Sequence, residues 1–236
     1  MESVLTIYFS LGYHNCYCRG VLINFMKNKS VILSQDNLEE IYSAFNQGKI
    51  ICIPTDTIYA LSCDATNIEA IQKIYTLKHR PLDKTLPMFM SNTKMASLYA
   101  NFYKKELSLA NKFWPGALTL VSRIKNTHKN LPNLLKNNQK IAIRVPKNKL
   151  IQSICQSINK PIIATSANIS NQKNINSLDE IIKEFQNKVN FIIKDNKELS
   201  DNCLTASTII EFTNNEKYKI LRKGRIPKIQ LERILS

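Results

Sequence analysis

Glycine is scarce in this sequence, and its scarcity excludes two common ways of holding a nucleotide. The 236 residues contain five glycines, at positions 12, 20, 48, 116 and 224. Their spacing fits neither the GxxxxGK[ST] loop that cradles phosphates nor the GxGxxG fingerprint of dinucleotide-binding proteins. If the chain binds nucleotide phosphates, side chains and ordinary turns must hold them.

Long apolar runs and paired cysteines are also missing. No segment approaches the roughly 18 uninterrupted apolar residues that a membrane span needs, so we expect no membrane partner. The six cysteines, at positions 16, 18, 52, 63, 155 and 203, form no CxxC pair, which disfavours a structural zinc site. Cys52 and Cys155 lie in apolar runs and are expected to be small buried side chains. This cysteine usage favours a reducing, cytoplasmic location.

Acidic residues are absent from a long central stretch. Between Leu107 and Leu178 there is no Asp or Glu, and the whole chain has 33 Lys+Arg against 18 Asp+Glu. An unopposed basic stretch concentrates anions, either a nucleotide or an RNA backbone. The chain is also rich in Lys, Ile and Asn, so the bias of an AT-rich genome is an alternative explanation for part of the charge.

The first 26 residues differ from the rest of the chain. Residues 1–26 lack the basic and apolar regions of a signal peptide and carry too little Arg for a mitochondrial presequence. We interpret them as an N-terminal extension, either translated from an upstream start codon or loosely held, with a cysteine-bearing functional arm as the alternative. Residues 27–236 contain no repeat and no Pro- or Ser-rich linker, so we expect one domain there.

Apolar patterning predicts helices and strands that are interleaved along this domain. Helices are predicted over about 38–47, 68–77, 93–112, 148–158 and 177–186, with a last one opening at Pro227. Short apolar runs predict strands at 50–53, 86–90, 117–121, 140–145, 161–165 and 189–193, and β-rich segments at 205–212 and 218–222. Because some neighbouring strands could pair as hairpins, the predicted class is α/β with a mixed sheet.

Polar clusters stand where predicted strands end, and sheets of this class usually bind ligands at such ends. The sequence PTDTIY at 54–59 comes after the strand 50–53, and TSAN at 165–168 ends another strand. Ser166 and Asn168 could point to one side and offer a hydroxyl and an amide without charge. Taken alone, a turn with a helix cap explains the first cluster, and a turn explains the second equally well.

A basic cluster, KHRP at 78–81, closes a predicted helix. Pro81 biases Arg80 toward extended backbone, in which residues two apart face the same way. Lys78 and Arg80 are therefore expected to grip one anion together, with Lys84 just beyond. The alternative is an ordinary interaction of basic residues with a helix C-terminus, which contributes about 0.3–1 kcal/mol.

Seven short motifs occur in the order in which one protein family has them. They are PTDTIYAL at 54–61, KxRP at 78–81, WPGALTL at 114–120, IRVP at 143–146, SAN at 166–168, ST at 207–208 and LRxG at 221–224. On these motifs the chain, from about residue 30 to 226, resembles the YrdC-like family of threonylcarbamoyl-AMP synthases in its short single-domain form. The resemblance implies an open, twisted mixed α/β sheet with flanking helices and a basic concave face.

The resemblance also implies an activity. Such a nucleotidyltransferase joins L-threonine, bicarbonate and ATP into threonylcarbamoyl-adenylate and releases pyrophosphate. A downstream threonylcarbamoyl transferase complex then uses the product to modify the adenosine beside the anticodon of tRNA, and direct contact with tRNA stays open. ATP is thus expected as a substrate, with Mg²⁺ carried by its phosphates, because the sequence shows no dedicated carboxylate cage.

The family motifs assign roles to matching side chains of this chain. By resemblance, Lys78, Arg80 and Lys84 face the triphosphate, and Ser166 and Asn168 orient the nucleotide and the carbamate. The remaining assignments place Thr57, Arg144 and Ser207 on threonine, and Asn174 and Arg222 on the nucleotide. In this set the Arg144 guanidinium is the bidentate partner of the threonine carboxylate.

Five positions depart from the family pattern. Ala60, Ser62 and His79 stand where the family usually has glycine, which adds side chains in turns near the expected site. Phe89 replaces a polar group that contacts threonine in some relatives, and Glu211 replaces an aspartate. These changes concern the amino-acid specificity and leave the phosphate-binding residues in place.

Two other functions fit part of the sequence. The acid-free stretch suits a non-catalytic RNA-binding module of the same fold, although Phe113 and Trp114 are its only aromatic residues for stacking on bases. The second alternative is a related domain that adenylates a carbamoyl group, but such proteins carry zinc-finger cysteine pairs that this chain lacks. ATP consumption that depends on L-threonine and bicarbonate separates these functions.

Overall fold

A computed structural model describes residues 30–128, 131–170, 175, 177–195, 205–213 and 217–235. The proposed extension 1–26 and the candidate nucleotide-binding residue Asn174 lie outside these residues. Within them the α-helices are α1 Leu38–Asn46, α2 Ile68–Leu77, α3 Thr93–Tyr99, α4 Lys104–Phe113, α5 Lys149–Ser157, α6 Leu178–Phe185 and α7 Lys228–Leu235. The strands are β1 Val31–Leu33, β2 Ile51–Ile53, β3 Ala60–Asp64, β4 Met88–Phe89, β5 Ala100–Asn101, β6 Leu118–Ile124, β7 Lys140–Arg144, β8 Ile162–Ser166, β9 Phe191–Ile193, β10 Thr208–Phe212 and β11 Tyr218–Arg222.

The eleven strands of the described region form one open sheet. Its order is β1-β9-β2-β3-β8-β4-β7-β6-β10-β11, and β5 pairs with β6 beside this path. The pairs β2–β3, β6–β7 and β10–β11 are antiparallel neighbours, whereas β1–β9, β9–β2, β4–β7 and β6–β10 are parallel. The mixed sheet and its hairpins confirm the predicted fold class.

Alternation along the strands supplies apolar side chains to both faces of the sheet. In β2, Ile51 and Ile53 belong to one buried cluster and Cys52 belongs to the other. Helices α1 and α5 cover the Ile51 face with their apolar stripes. Helices α2, α4, α6 and α7 contribute to the cluster on the Cys52 face. Cys52 and Cys155 are fully buried, as predicted.

Two elements differ from the sequence prediction. The predicted helix 93–112 is two helices, because Ala100 and Asn101 leave the helix and pair with β6. Strand β3 is not among the predicted strands, since its first residues belong to the motif that begins with the polar cluster. Its presence also rules out a helix cap at 54–59, because a strand and not a helix comes after that segment.

Candidate active site

The segment 54–59 is a buried loop that is organised by one hydroxyl group. Thr55 Oγ1 donates to the carbonyl of Ile58 at 2.7 Å and accepts from the backbone N–H groups of Thr57 and Ile58. Thr57 Oγ1 lies 3.0 Å from Thr55 Oγ1, and both threonines are buried. These bonds fix the directions of the neighbouring Asp56 and Thr57 side chains.

The Arg144 guanidinium is the best-connected cation of the site. It ends β7, is 2% exposed, and donates from Nε to the Gly116 carbonyl, from Nη1 to Thr57 Oγ1 and from Nη2 to Asp56 Oδ1. The aromatic ring of Phe89 lies beneath it, 5.2 Å from the guanidinium carbon. These contacts use three of the five guanidinium N–H groups and hold the group in one plane.

Ser207 is joined both to a strand of the sheet and to a second arginine. Its hydroxyl lies 2.8 Å from Thr119 Oγ1 and accepts from Arg222 Nη2 at 3.0 Å, while Arg222 Nε donates to the Ser207 carbonyl. Gly224 makes this arrangement possible, because a Cβ atom there would collide with the backbone of residues 206–208. The structure therefore connects a residue expected on threonine directly to one expected on the nucleotide.

Lys78 enters the site from the C-terminal end of α2 and is almost completely buried. Its Nζ donates to the carbonyls of Ser166 at 2.5 Å and Asn168 at 2.6 Å, and to Asn168 Oδ1 at 3.3 Å. Burial and, after it, the positive charge of Arg80 lower the pKa of Lys78 to about 8. The KxR and SxN motifs, which lie about 90 residues apart in the sequence, thus meet in the fold.

The backbone after Lys78 corrects one expectation from the sequence. His79 has φ +48°, and the bonds from His79 N to Thr76 O and from Arg80 N to Tyr75 O close the end of α2 as a Schellman motif. The chain between Lys78 and Arg80 is therefore not extended, and the two side chains bind different partners. Arg80 donates instead to the carbonyls of Lys84 and Thr85, both at 2.8 Å.

The sheet register places two candidate residues, Ser166 and Arg144, at separate positions along the strands, and the 54–59 loop connects the two positions. Ser166 on β8 pairs with Ala60, whereas Arg144 pairs through Phe89 with Ile162, four residues away on β8. The loop spans this distance, since Ala167 N donates to the Tyr59 carbonyl while Asp56 and Thr57 contact Arg144.

Arg80, Arg144 and Arg222 lie close enough for their positive charges to interact. Partial burial lowers the pKa of Arg222, and the positive charges of Arg144 and Arg80 lower it as well. Burial lowers the pKa of Arg144, opposed by Asp56 and reinforced by Arg225. Because these like charges repel one another, an anionic ligand bound among them would relieve the repulsion.

Among the described residues, Lys84 is solvent-exposed beside Arg80, and Ser166 is half-buried. A cavity of about 510 Å³ is lined in part by His79 and Arg80.

The part of the chain that the structure describes contains no group of three or more His, Cys, Asp or Glu residues suited to a metal ion. None of its helices is long and apolar enough to cross a membrane.

The departures from the family pattern have clear places in the fold. Ala60 begins β3, opposite Ser166, and Ser62 Oγ donates to the Ile163 carbonyl. Both residues therefore belong to the pairing of β3 with β8. Phe89 is buried, and its ring packs against the Arg144 guanidinium. Glu211 pairs with Lys140 at 2.8 Å.

Sequence reasoning missed three residues of the site. Asp56 has no role of its own in the motif assignments, yet it pairs with Arg144 and also accepts from the backbone N–H of Lys147. Arg225 donates to the Asp56 carbonyl, and Thr119 contacts Ser207. A carboxylate or a hydroxyl inside a motif gives no signal of its partner, because each partner lies tens of residues away along the chain.

The fold and these contacts define an α/β protein that gathers cationic and hydroxyl side chains into an anion site without a glycine-rich loop. The family model Sua5_yciO_yrdC, described as telomere recombination, matches residues 43–224. The chain therefore belongs to the Sua5/YciO/YrdC family, which confirms the family resemblance of its motifs.

Curated relatives match most of the chain. A Methanocaldococcus jannaschii protein is 31% identical over 217 residues, which cover 88% of this chain and 99% of that protein. The threonylcarbamoyl-AMP synthase of Photobacterium profundum is 30% identical over 163 residues, which cover 67% of this chain and 86% of that enzyme.

Solved structures share the fold. Sua5 of P. abyssi, in a crystal structure complexed with L-threonine, has a TM-score of 0.78 and 25% identity, with 87% of this chain covered. The chain spans about 61% of the length of that Sua5 chain. YciO of E. coli, at 21% identity and a TM-score of 0.75, supports the fold alone and is covered over 98% of its length.

Proposed function

We propose that the chain is an L-threonylcarbamoyladenylate synthase that makes threonylcarbamoyl-AMP and pyrophosphate from L-threonine, bicarbonate and ATP. The observation that carries this proposal is the hydrogen bond from Arg222, expected on the nucleotide, to Ser207, expected on threonine. On the threonine side, Arg144 also donates to Thr57. Curated relatives with the same enzyme name support it. The Sua5 structure with L-threonine supports the amino-acid substrate.

The threonine carboxylate is proposed to bind Arg144. Two guanidinium N–H groups, one on each Nη atom, are not used by Gly116, Thr57 or Asp56. A carboxylate can accept from two such donors in a planar bidentate pair, which is among the stronger charge-assisted interactions in proteins. Thr57 and Ser207 would then bind the amino acid through their hydroxyl groups.

ATP is proposed to bind beside this position with its phosphates on Arg80, Lys84 and Arg222. These cations replace a glycine-rich loop, and the repulsion among the arginines is relieved when phosphate charge arrives. Ser166 and Asn168, with Asn174 from outside the described residues, are proposed on the nucleotide and the carbamate. Mg²⁺ would enter as part of the MgATP substrate, coordinated by the phosphates.

The reaction needs positioning and charge more than covalent help from the protein. The threonine amine attacks the carbon of bicarbonate or carbon dioxide to give a carbamate, with water as the other product from bicarbonate and a proton as the other product from carbon dioxide. A carbamate oxygen then attacks the α-phosphorus, the bond to the β-phosphate oxygen breaks, and pyrophosphate leaves. Negative charge moves onto the leaving pyrophosphate, where fixed cations lower the barrier.

The product requires a partner reaction. Threonylcarbamoyl-AMP is a mixed anhydride that water or another nucleophile can cleave, so a transferase must accept it rapidly. We propose a downstream threonylcarbamoyl transferase complex, which attaches the group to the adenosine beside the anticodon in tRNAs that read codons beginning with A. The acid-free stretch between 107 and 178 suits contact with such an RNA.

The test is incubation of the full chain with ATP, Mg²⁺, labelled L-threonine and bicarbonate. We expect equimolar pyrophosphate and threonylcarbamoyl-AMP, and neither product when threonine or bicarbonate is omitted. Pyrophosphate release that ignores threonine but requires carbamoyl phosphate would identify a carbamoyl-adenylating domain instead. No turnover, together with tight and salt-sensitive binding of tRNA, would identify a non-catalytic RNA-binding module.

Arg80→Ala is the matched variant for this assay. It removes a proposed phosphate ligand and should abolish the adenylate while the far-ultraviolet circular dichroism stays that of the wild type. Arg123→Ala is the control, because it removes an equal charge from an exposed position of β6 that makes no proposed substrate contact. Wild-type turnover by Arg80→Ala would refute the role of Arg80.

A further inference from the structure

Lys78 combines a terminal ammonium group with almost complete burial. The side chain is 1% exposed, although lysine is rarely buried unless its charge is matched. Its acceptors are the carbonyl oxygens of Ser166 and Asn168 and the amide oxygen of Asn168. All three oxygens belong to the protein, and they lie on the turn at the end of β8.

The number of N–H groups on an ammonium decides what Lys78 can do. A protonated lysine has three N–H donors and no acceptor. The three oxygens accept one each, so a phosphate oxygen can bind only if Lys78 first gives up one of these bonds. Hydrogen bonds from a charged donor are stronger than neutral ones, so the loss of one of them opposes such an exchange.

We propose that Lys78 is a positioning residue that fixes the Ser166–Asn168 turn, and that it does not bind the triphosphate. This inference rests on the proposed function, because that function supplies the ligand, ATP, that the turn is proposed to bind. The proposed role of Lys78, the lysine of the KxR motif, thereby changes from binding the phosphates to holding the turn that contains Ser166 and Asn168.

The backbone supports the same attachment. Ser170 N donates to the Lys78 carbonyl at 2.9 Å, and Ala167 N donates to the Tyr59 carbonyl at 2.8 Å. The turn is thus held by α2 on one side and by the 54–59 loop on the other. Lys78 adds the contacts at its centre, where one ammonium group binds two carbonyls that are two residues apart.

The attachment explains how Ser166 can serve a substrate. Its backbone carbonyl is bound to Lys78, whereas its hydroxyl has no hydrogen-bond partner among the described residues and the residue is half-buried. A fixed backbone with a free hydroxyl is the arrangement that orients a ligand. We call the three hydrogen bonds from Lys78 to Ser166 and Asn168 the clamp. Its removal should therefore weaken the binding of every ligand that the turn contacts, and the loss should not depend on how many phosphates the ligand carries.

The first experiment compares ATP with AMP. Equilibrium binding is measured for the full chain, Lys78→Met and Lys73→Ala, an exposed control on the same helix. The clamp predicts that Lys78→Met weakens ATP and AMP by the same factor, within about twofold. A lysine on the β- or γ-phosphate predicts instead a loss about tenfold or more greater for ATP, the size of one charge-assisted hydrogen bond, and this result would overturn the proposal.

The second experiment needs no ligand. Hydrogen exchange of the free protein should be at least about tenfold faster at the Ala167 and Ser170 amides in Lys78→Met, with β6 and β7 unchanged. Unchanged exchange at both amides would refute the clamp. Should Lys78→Met fail to fold, Asn168→Ala removes one acceptor and keeps the ammonium, and it should raise exchange at the same amides by a smaller factor.

The two experiments separate this inference from the proposed function. Wild-type protein that binds neither ATP nor AMP would contradict the synthase, while exchange at Ala167 and Ser170 would still decide the clamp. Conversely, an active synthase with unchanged exchange in Lys78→Met and Asn168→Ala would reject the clamp and keep the synthase.

Discussion

The Asp56 carboxylate and the Arg144 guanidinium form a 2.7 Å ion pair, with side chains that are 11% and 3% exposed. The second Asp56 oxygen accepts from the backbone N–H of Lys147, three residues after Arg144. One carboxylate therefore orients both the arginine and the chain that leaves β7, which makes Asp56 a positioning residue for Arg144.

Asp56→Asn should weaken threonine binding through Arg144. It leaves a buried guanidinium without its counter-charge, and breaking such a pair costs about 3 kcal/mol of unfolding free energy. We expect the KM for threonine to rise more than the KM for ATP, because the nucleotide is proposed on other side chains. Urea unfolding and steady-state kinetics check both effects, with Asp179→Asn on exposed α6 as the control. Equal changes in the two KM values would contradict a specific role for the pair.

Lys78 predicts a pH dependence of stability. Burial and, after it, the positive charge of Arg80 lower its pKa from 10.5 to about 8 in the folded protein. Between these values the unfolded chain binds more protons, so the unfolding free energy of the wild type rises with pH in this window, by up to roughly 3 kcal/mol. Below pH 8 the folded state carries the full cost of burying the charge.

The measurement is urea unfolding of wild type and Lys78→Met at pH 7.5 and 10. Contributions from other titrating groups cancel in the difference, which should grow in favour of the wild type at pH 10. A difference that does not change with pH would show that the three oxygens keep the ammonium charged throughout.

His79→Gly should stabilise the protein. His79 has φ +48°, a left-handed conformation that costs a residue with a Cβ about 1 kcal/mol and costs glycine little. Thermal or urea unfolding should show a gain of about that size, with Lys73→Gly as a control that destabilises the interior of the same helix by a similar amount. An unchanged or lower stability would mean that the imidazole makes a compensating contact.

Gly224→Ala should reduce activity by moving Ser207. The added Cβ would meet the backbone of residues 206–208, which cannot turn away as a side chain could. We expect a loss of threonine-dependent turnover together with a lower unfolding free energy. Gly48→Ala is a comparison, because its Cβ also meets close atoms, those of the Asn67 side chain, and Gly48 follows α1 and is not a candidate residue. Wild-type activity in Gly224→Ala would show that the position of Ser207 is not critical.

Local pattern in the sequence was sufficient for most of the sheet and helices. The apolar stripe of α2 predicted the bounds 68–77 that the structure has, because helix period and capping act over a few residues. The break between α3 and α4 and the strand β3 were missed. Both depend on pairing with distant strands, at Ile124 and at Ser166, which no local window contains.

The candidate site was predictable as a set of residues but not as a geometry. The motifs named Lys78, Arg144 and Ser207, whereas their buried partners are carbonyls, a carboxylate and a threonine from other parts of the chain. The left-handed backbone at His79 breaks the extended conformation that was expected between Lys78 and Arg80, since the proline rule acts only on the residue before it. Side-chain directions at such turns are set by tertiary contacts.

The most direct test of this account is a crystal structure of the full chain with L-threonine and a non-hydrolysable ATP analogue. It should show the threonine carboxylate on both Nη atoms of Arg144, the phosphates on Arg80 and Arg222, and the Lys78 ammonium still bound to the Ser166 and Asn168 carbonyls. Threonine bound away from Arg144, or phosphates out of reach of both other arginines, would contradict it.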